Sequence, residues 1–108
     1  MQEFSLRLSE AAELIGASTP QSDLRFSGIT HVDSEIEPGD IFCAIPGAKV
    51  HGAEFIDSAK KRGAVAVITD VAGSQKNSGL PMLVVKDVRG ASAIVAASLY
   101  QSPSRDLV

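Results

Sequence analysis

Short apolar runs alternate with polar stretches along this chain, and the period of the apolar positions changes from one run to the next. Leu8, Ala11, Ala12 and Ile15 recur at the spacing of a single helix face, which predicts a short helix over Glu10–Ile15 with Ser9 as its N-cap and Gly16 as its stop. The polar segment 17–23 reads as a loop. From Leu24 to Val32 the pattern alternates instead, with Leu24, Phe26, Gly28, Thr30 and Val32 on one side, as a strand requires. Asp33–Gly39 is turn chemistry ending in the breaker pair Pro38-Gly39. Asp40–Ile45 is apolar on both faces, the pattern of a central buried strand, and Pro46-Gly47 ends it.

The second half continues in the same way. A helix is expected near Glu54–Arg62, with Phe55, Ile56 and Ala59 inward and Gly63 as its cap. Ala64–Thr69 is rich in β-branched residues and predicts a strand. Asp70–Gly79 reads as a flexible loop and Pro81–Val85 as a further strand. Asp87 then caps a last helix reaching about Tyr100, with Ala91, Ile94, Val95 and Leu99 on one side. Strand, helix, strand, loop, strand, helix specifies an α/β fold: one domain with a small, mostly parallel or mixed sheet and flanking helices. The last residues, Arg105-Asp106-Leu107-Val108, read as the start of a new strand, as expected of a chain cut from a longer polypeptide.

Composition narrows the function classes. The 108 residues are 44% apolar and 21% charged, ordinary for a globular domain. Ten basic residues face 13 acidic ones, a net charge of −3, so the basic excess that neutralises nucleic-acid phosphates is missing. The cluster Lys60-Lys61-Arg62 is accounted for by the C-terminal end of a helix, where cations are favoured. No apolar run approaches the roughly 20 residues of a membrane span. The first residues lack a signal peptide's basic start and apolar stretch. The expectation is a cytoplasmic protein with neither nucleic acid nor membrane as partner. Cys43, the only cysteine, falls in an apolar run and is expected to be a small core hydrophobe.

Catalytic signatures are missing from the sequence. It contains no glycine-rich Lys-Ser/Thr loop for ATP, no Gly-x-Gly-x-x-Gly and no Gly-x-Ser-x-Gly. His31 and His51 lack the neighbours of a zinc site and are expected at loop or strand ends. By its residues the chain is a binder. The informative region is Ser27–Gly47 followed by His51-Gly-Ala-Glu-Phe-Ile56. There a strand delivers Val32, Asp33 and Ser34 to a turn, whose polar side chains can bond local backbone or a ligand. The Gly47–Gly52 loop leads into a helix start, where free amides would suit a phosphate or a uracil edge.

The ordered set Gly28-x-Thr30, Asp33-Ser34, Pro38-Gly39-Asp40-Ile41-Phe42, Gly47, His51-Gly52 and Phe55-Ile56 resembles the N-terminal domain of the Mur ligases. Gly63-Ala64, Val85-Lys86-Asp87 and Tyr100-x-x-Pro103-Ser104 follow where that family has them, so the likeness runs from about Phe26 to the end. The Tyr-x-x-Pro-Ser-x-x-Leu ending is similar to the branch that adds the third residue of the peptidoglycan stem peptide. This resemblance implies an ATP-dependent amide ligase acting on UDP-N-acetylmuramoyl-L-alanyl-D-glutamate. The D-glutamate carboxylate would be activated as an acyl phosphate and attacked by the amine of diaminopimelate or lysine. It implies ATP and Mg2+ in the full-length enzyme, held by central and C-terminal domains that this chain lacks. Residues 1–108 would be a substrate-binding domain that binds neither cofactor and is inactive alone.

By position, the resemblance assigns the uridine diphosphate end of the substrate to Val32, Ser34, Ala48, Lys49 and Val50. One position departs from the family. Where its members usually have Asp-Ser-Arg, this chain has Asp33-Ser34-Glu35, an acid in place of a base close to a diphosphate. Either that arginine is structural in the relatives, or another cation such as Lys49 takes its place. Two rival expectations remain: the family's dipeptide-adding ligase, and a free-standing α/β binding module with no enzyme attached.

Overall fold

Six short strands and four helices are present in the computed structural model, which describes residues 6–17, 24–47, 50–75 and 79–105 (the last five in backbone only). The main sheet has four parallel strands in the order β3 (Gly28–Thr30), β4 (Asp40–Cys43), β5 (Ala66–Thr69), β6 (Met82–Val84). The register sets Thr30 beside Phe42, Cys43 beside Ile68 and Thr69 beside Val84. All four C-terminal ends therefore share one edge. A two-stranded antiparallel ribbon, β1 (Leu6–Arg7) with β2 (Arg25–Phe26), stands apart from this sheet.

Side chains leave the strands alternately to two layers, as the period of two demands. Ile41 and Cys43 of β4, Ala66 and Ile68 of β5 and Leu83 of β6 face helices α1 (Leu8–Ile15) and α4 (Val88–Arg105). Phe42, Ala44 and Val67 face α2 (Ile56–Arg62) on the other side. Both β4 and β5 are thus buried on each face, and Cys43 is a core residue at 2% exposure. Burial pushes its thiol up to about 11, with the Ser92 hydroxyl beside it pulling the other way.

Several expectations need correction. The Leu24–Val32 strand is two strands, because the Ser27 amide turns aside to the Gly39 carbonyl (3.0 Å) and splits it. Leu24 is consequently exposed. Helix α1 starts two residues earlier than an N-cap at Ser9 implies: Leu8 is pinned through its amide to the Leu24 carbonyl (2.8 Å), and the Glu10 carboxylate takes the Arg7 amide (2.9 Å). Residues Gly52–Phe55 form a 3-10 turn ahead of α2, so the helical period fails there and Phe55 points outward at 44% exposure. On α4 the buried positions are Val88, Ala91, Val95 and Leu99, whereas Ile94 is exposed. The loop after Asp70 contains a short helix, α3 (Val71–Ser74). No glycine follows Tyr100 to stop α4, and it carries Pro103 to Arg105, so Arg105 does not begin a strand; residues 106–108 lie outside the described set.

Candidate functional site

The C-terminal edge of the sheet gathers the chain segments that sequence reasoning singled out. β3 ends at Thr30, whose Oγ1 accepts the Val32 amide (3.1 Å) and turns the chain. Val32 caps a 3-10 turn, Asp33–Glu35, and its carbonyl accepts the Glu35 amide (2.9 Å). Both main-chain groups of Val32 are thereby used locally, and its side chain is half-buried. Ser34 is exposed, and its hydroxyl has no hydrogen-bond partner among the described residues. The turn leans on α2 through buried Ile36, and the chain then returns to the far edge to begin β4.

The second loop follows β4. Val50 is half exposed at 49% and emerges at the same edge as Ser34, because β3 and β4 are parallel neighbours. Ala48 and Lys49 lie outside the described residues. The expected free amides at the helix start are taken. Gly52 N–H goes to the Ile45 carbonyl (2.9 Å), Ala53 N–H to His51 Nδ1 (2.9 Å) and Glu54 N–H to the His51 carbonyl (3.0 Å). That part of the loop folds on itself and offers a ligand no donors.

His51 has a structural role that its isolation in sequence concealed. With Nδ1 accepting the Ala53 amide, the neutral ring carries its proton on Nε2 and donates it to Asp70 Oδ1 at 2.8 Å. The same carboxylate oxygen accepts the Gly73 amide (2.8 Å), capping α3. The Gly73 N–H above all, and the His51 ring after it, hold the Asp70 carboxyl below the usual carboxylate range, with burial opposing them. Gly73 is required here. A Cβ on it would collide with the Thr69 hydroxyl and come within 2.8 Å of the His51 ring. The result is a clasp tying the loop after β4 to the loop after β5. His51 and Asp70 are positioning groups, with no third acid, cysteine or histidine beside them to make a metal site among the described residues.

Two concavities open near this edge. The larger, about 630 Å³, runs between α1, β6 and α4 and is lined mainly by Leu14, Val71, Val84, Ala91 and Ile94. It touches none of the candidate residues. The smaller, about 280 Å³, lies where β3 and β4 end against α4 and includes Thr30, His31, Cys43, Ile45, Arg89 and Ser92. Size favours the first. Chemistry favours the second: none of Val32, Ser34 or Val50 lines it, but it adjoins the start of both loops at His31 and Ile45 and mixes apolar walls with side-chain donors, as ligand sites generally do. Neither Arg89 nor Ser92 carried any signal in sequence, since each sits on a helix read only for its buried face.

The comparisons agree with this architecture. The family model described as "Mur ligase family, catalytic domain" matches residues 25–100. A UDP-N-acetylmuramoyl-L-alanyl-D-glutamate–2,6-diaminopimelate ligase from Streptomyces avermitilis is 47% identical over 103 residues, covering 94% of this chain and 20% of the relative. A UDP-N-acetylmuramyl-tripeptide synthetase from Deinococcus radiodurans is 41% identical over 101 residues, covering 93% of this chain and 21% of the relative. The chain thus spans about a fifth of the length of the curated relatives it matches. Among solved structures, MurF from Acinetobacter baumannii shares the fold, with a TM-score of 0.64 at 19% identity over 81% of this chain and 19% of that one. The family model takes in every strand of the parallel sheet and most of α4, and on that match the chain belongs to the Mur ligase family.

Proposed function

We propose that this chain is the N-terminal substrate-binding domain of an ATP-dependent ligase of peptidoglycan synthesis, one that adds diaminopimelate or lysine to UDP-N-acetylmuramoyl-L-alanyl-D-glutamate. Its part is to hold the uridine diphosphate end of that substrate with Val32, Ser34, Ala48, Lys49 and Val50, in the cytoplasm. The observation that carries this reading is the near-full coverage of the chain by relatives whose names specify that substrate. It is supported by the position of the Ser34 hydroxyl, exposed and uncommitted at the ligand-binding edge of a parallel sheet. Binding energy collected so far from the reacting carboxylate acts by orienting it.

Neither ATP nor Mg2+ fits the residues present. No cluster of three His, Cys, Asp or Glu side chains occurs among the described residues, and the sequence has no glycine-rich lysine loop. In this reading those cofactors belong to polypeptide beyond the fifth of the relatives' length that this chain covers, and the chain by itself turns over nothing.

Calorimetry of the chain with UDP-N-acetylmuramoyl-L-alanyl-D-glutamate tests the reading. Binding is expected, and Ser34→Ala weakens it roughly three- to tenfold, the worth of one neutral hydrogen bond. A chain that ignores this ligand, or that binds ATP instead, overturns the assignment.

A further inference from the structure

Glu35 puts an acid where members of the family usually have a base close to the diphosphate, and the smaller cleft contains a cation with no partner among the described residues. Arg89 lines it from the first turn of α4, is exposed, and has no ion pair or hydrogen bond among the described residues. Deeper in the cleft, Ser92 Oγ is fully shielded from solvent and makes no hydrogen bond of acceptable geometry, although the Cys43 thiol lies beside it. A shielded hydroxyl without a partner is costly, and a lone one in a native fold needs a reason. Exposed His31 and Thr30, at the end of β3, complete the polar side of the same cleft.

We infer that this cleft seats the phosphates of the bound nucleotide, with Arg89 as their counter-charge and the Ser92 hydroxyl, once its side chain turns out from beside the Cys43 thiol, as a hydrogen-bond donor at its floor. The inference rests on the uridine diphosphate reading above and adds to it where the charge is neutralised. An arginine suits the task, because its planar fork of donors matches phosphate oxygens in pairs. Two amides of the first turn of α4 are already taken, Gly90 N–H by Asp87 Oδ1 (3.0 Å) and Ala91 N–H by the Asp87 carbonyl (2.9 Å). The charge is therefore assigned to a side chain. The cleft opens toward α4 while the turn carrying Ser34 leans on α2, so a nucleotide gripping both lies across the top of β3 and β4, its base toward Ser34 and Val50 and its phosphates toward Arg89.

The test is a set of NMR titrations of the 108-residue chain with UDP, uridine and inorganic pyrophosphate, on the wild type and on Arg89→Gln, Arg89→Lys and Ser92→Ala. Pyrophosphate and UDP are expected to move the signals of His31, Arg89 and Ser92. Arg89→Gln weakens UDP roughly ten- to a hundredfold, as loss of a charge-assisted contact does, and leaves uridine unchanged, while Arg89→Lys restores part of the loss. Ser92→Ala weakens pyrophosphate yet keeps or raises the melting temperature, because it removes a shielded unpaired hydroxyl; a merely structural serine gives the opposite pair of results. UDP that shifts Ser34 and Val50 but binds Arg89→Gln as well as wild type overturns this inference and spares the uridine reading. Pyrophosphate bound through Arg89, with no nucleotide touching Ser34 or Val50, leaves the phosphate cleft standing and overturns the uridine reading. Silence toward all three ligands sinks both.

Discussion

The two ends of the parallel sheet are built on different principles. At the N-terminal end the chain is closed by backbone against backbone: Gly39 N–H meets the Gly63 carbonyl (3.0 Å), Ser27 N–H the Gly39 carbonyl (3.0 Å) and Val65 N–H the Asp40 carbonyl (2.9 Å). At the C-terminal end backbone bonds also run between strand ends, as from Ala44 N–H to the Ile68 carbonyl (2.8 Å), but the loops beyond them are tied by side chains, through the His51–Asp70–Gly73 clasp and the Thr30 hydroxyl, and space remains between them. Backbone closure draws the turns into direct contact with one another. Side-chain closure leaves volume and exposed polar groups, and that end is where open α/β sheets bind their ligands.

The largest effect is expected at the sealed end. Gly63 ends α2 with φ +112°, and a Cβ there would lie 2.6 Å from Pro38 Cα, against backbone that cannot turn away as a side chain would. Gly63→Ala combines left-handed strain with overpacking, and urea unfolding should record a loss of roughly 2–4 kcal/mol. A cost under 1 kcal/mol means the two turns can part, and the contrast between the ends is then one of degree.

The clasp comes next. Asp70→Ala removes a helix cap and the acceptor for His51 together, for a loss of about 1–3 kcal/mol. His51→Ala costs less, and the double mutant should fall short of the sum, since each side chain works through the other. Strict additivity would mean that the 2.8 Å contact between them contributes nothing. A pH dependence follows from the same group. The Asp70 carboxyl is depressed in the folded chain, so its contribution is fully present above the unfolded value of about 3.9 and is lost as pH falls through the lower folded value. The stability gap between wild type and Asp70→Asn is therefore flat near neutrality and closes only in acid. A gap that widens on acidification would reverse the assigned direction.

This division also explains what the sequence disclosed. The Pro38-Gly39-Asp40 and Gly63-Ala64 signals were legible because backbone turns demand particular residue types, and they belong to the sealed end, which is fold rather than site. The strands β4 and β5 were legible because burial on both faces leaves a continuous apolar run, and β6 because its residues are all apolar although Val84 is exposed. The clasp was not, since His51 and Asp70 are 19 residues apart and neither position alone states that it will meet the other. Phe55 and Ile94 were misread for a related reason: an apolar residue announces burial only if the helical period holds through it, and a 3-10 turn or a groove rim suspends that rule. Ser34 was found through family likeness; by its residue type alone it is an ordinary turn serine.

The smallest effect on stability is expected at Ser34, and its smallness is the informative part. Its hydroxyl bonds to no described residue, its carbon is exposed, and the turn around it is held by the Val32 carbonyl and by Ile36. Ser34→Ala should leave the unfolding midpoint within the roughly ±0.5 kcal/mol range of ordinary surface changes. A group retained for the fold cannot be removed so cheaply, whereas one presented to a ligand can, because its partner is absent from the unliganded chain. If the substitution instead costs more than 1 kcal/mol, the hydroxyl is bracing the turn, and the open edge owes its shape to the residue proposed to contact the nucleotide. The two ends would then differ in which atoms close them, and no longer in whether they are closed.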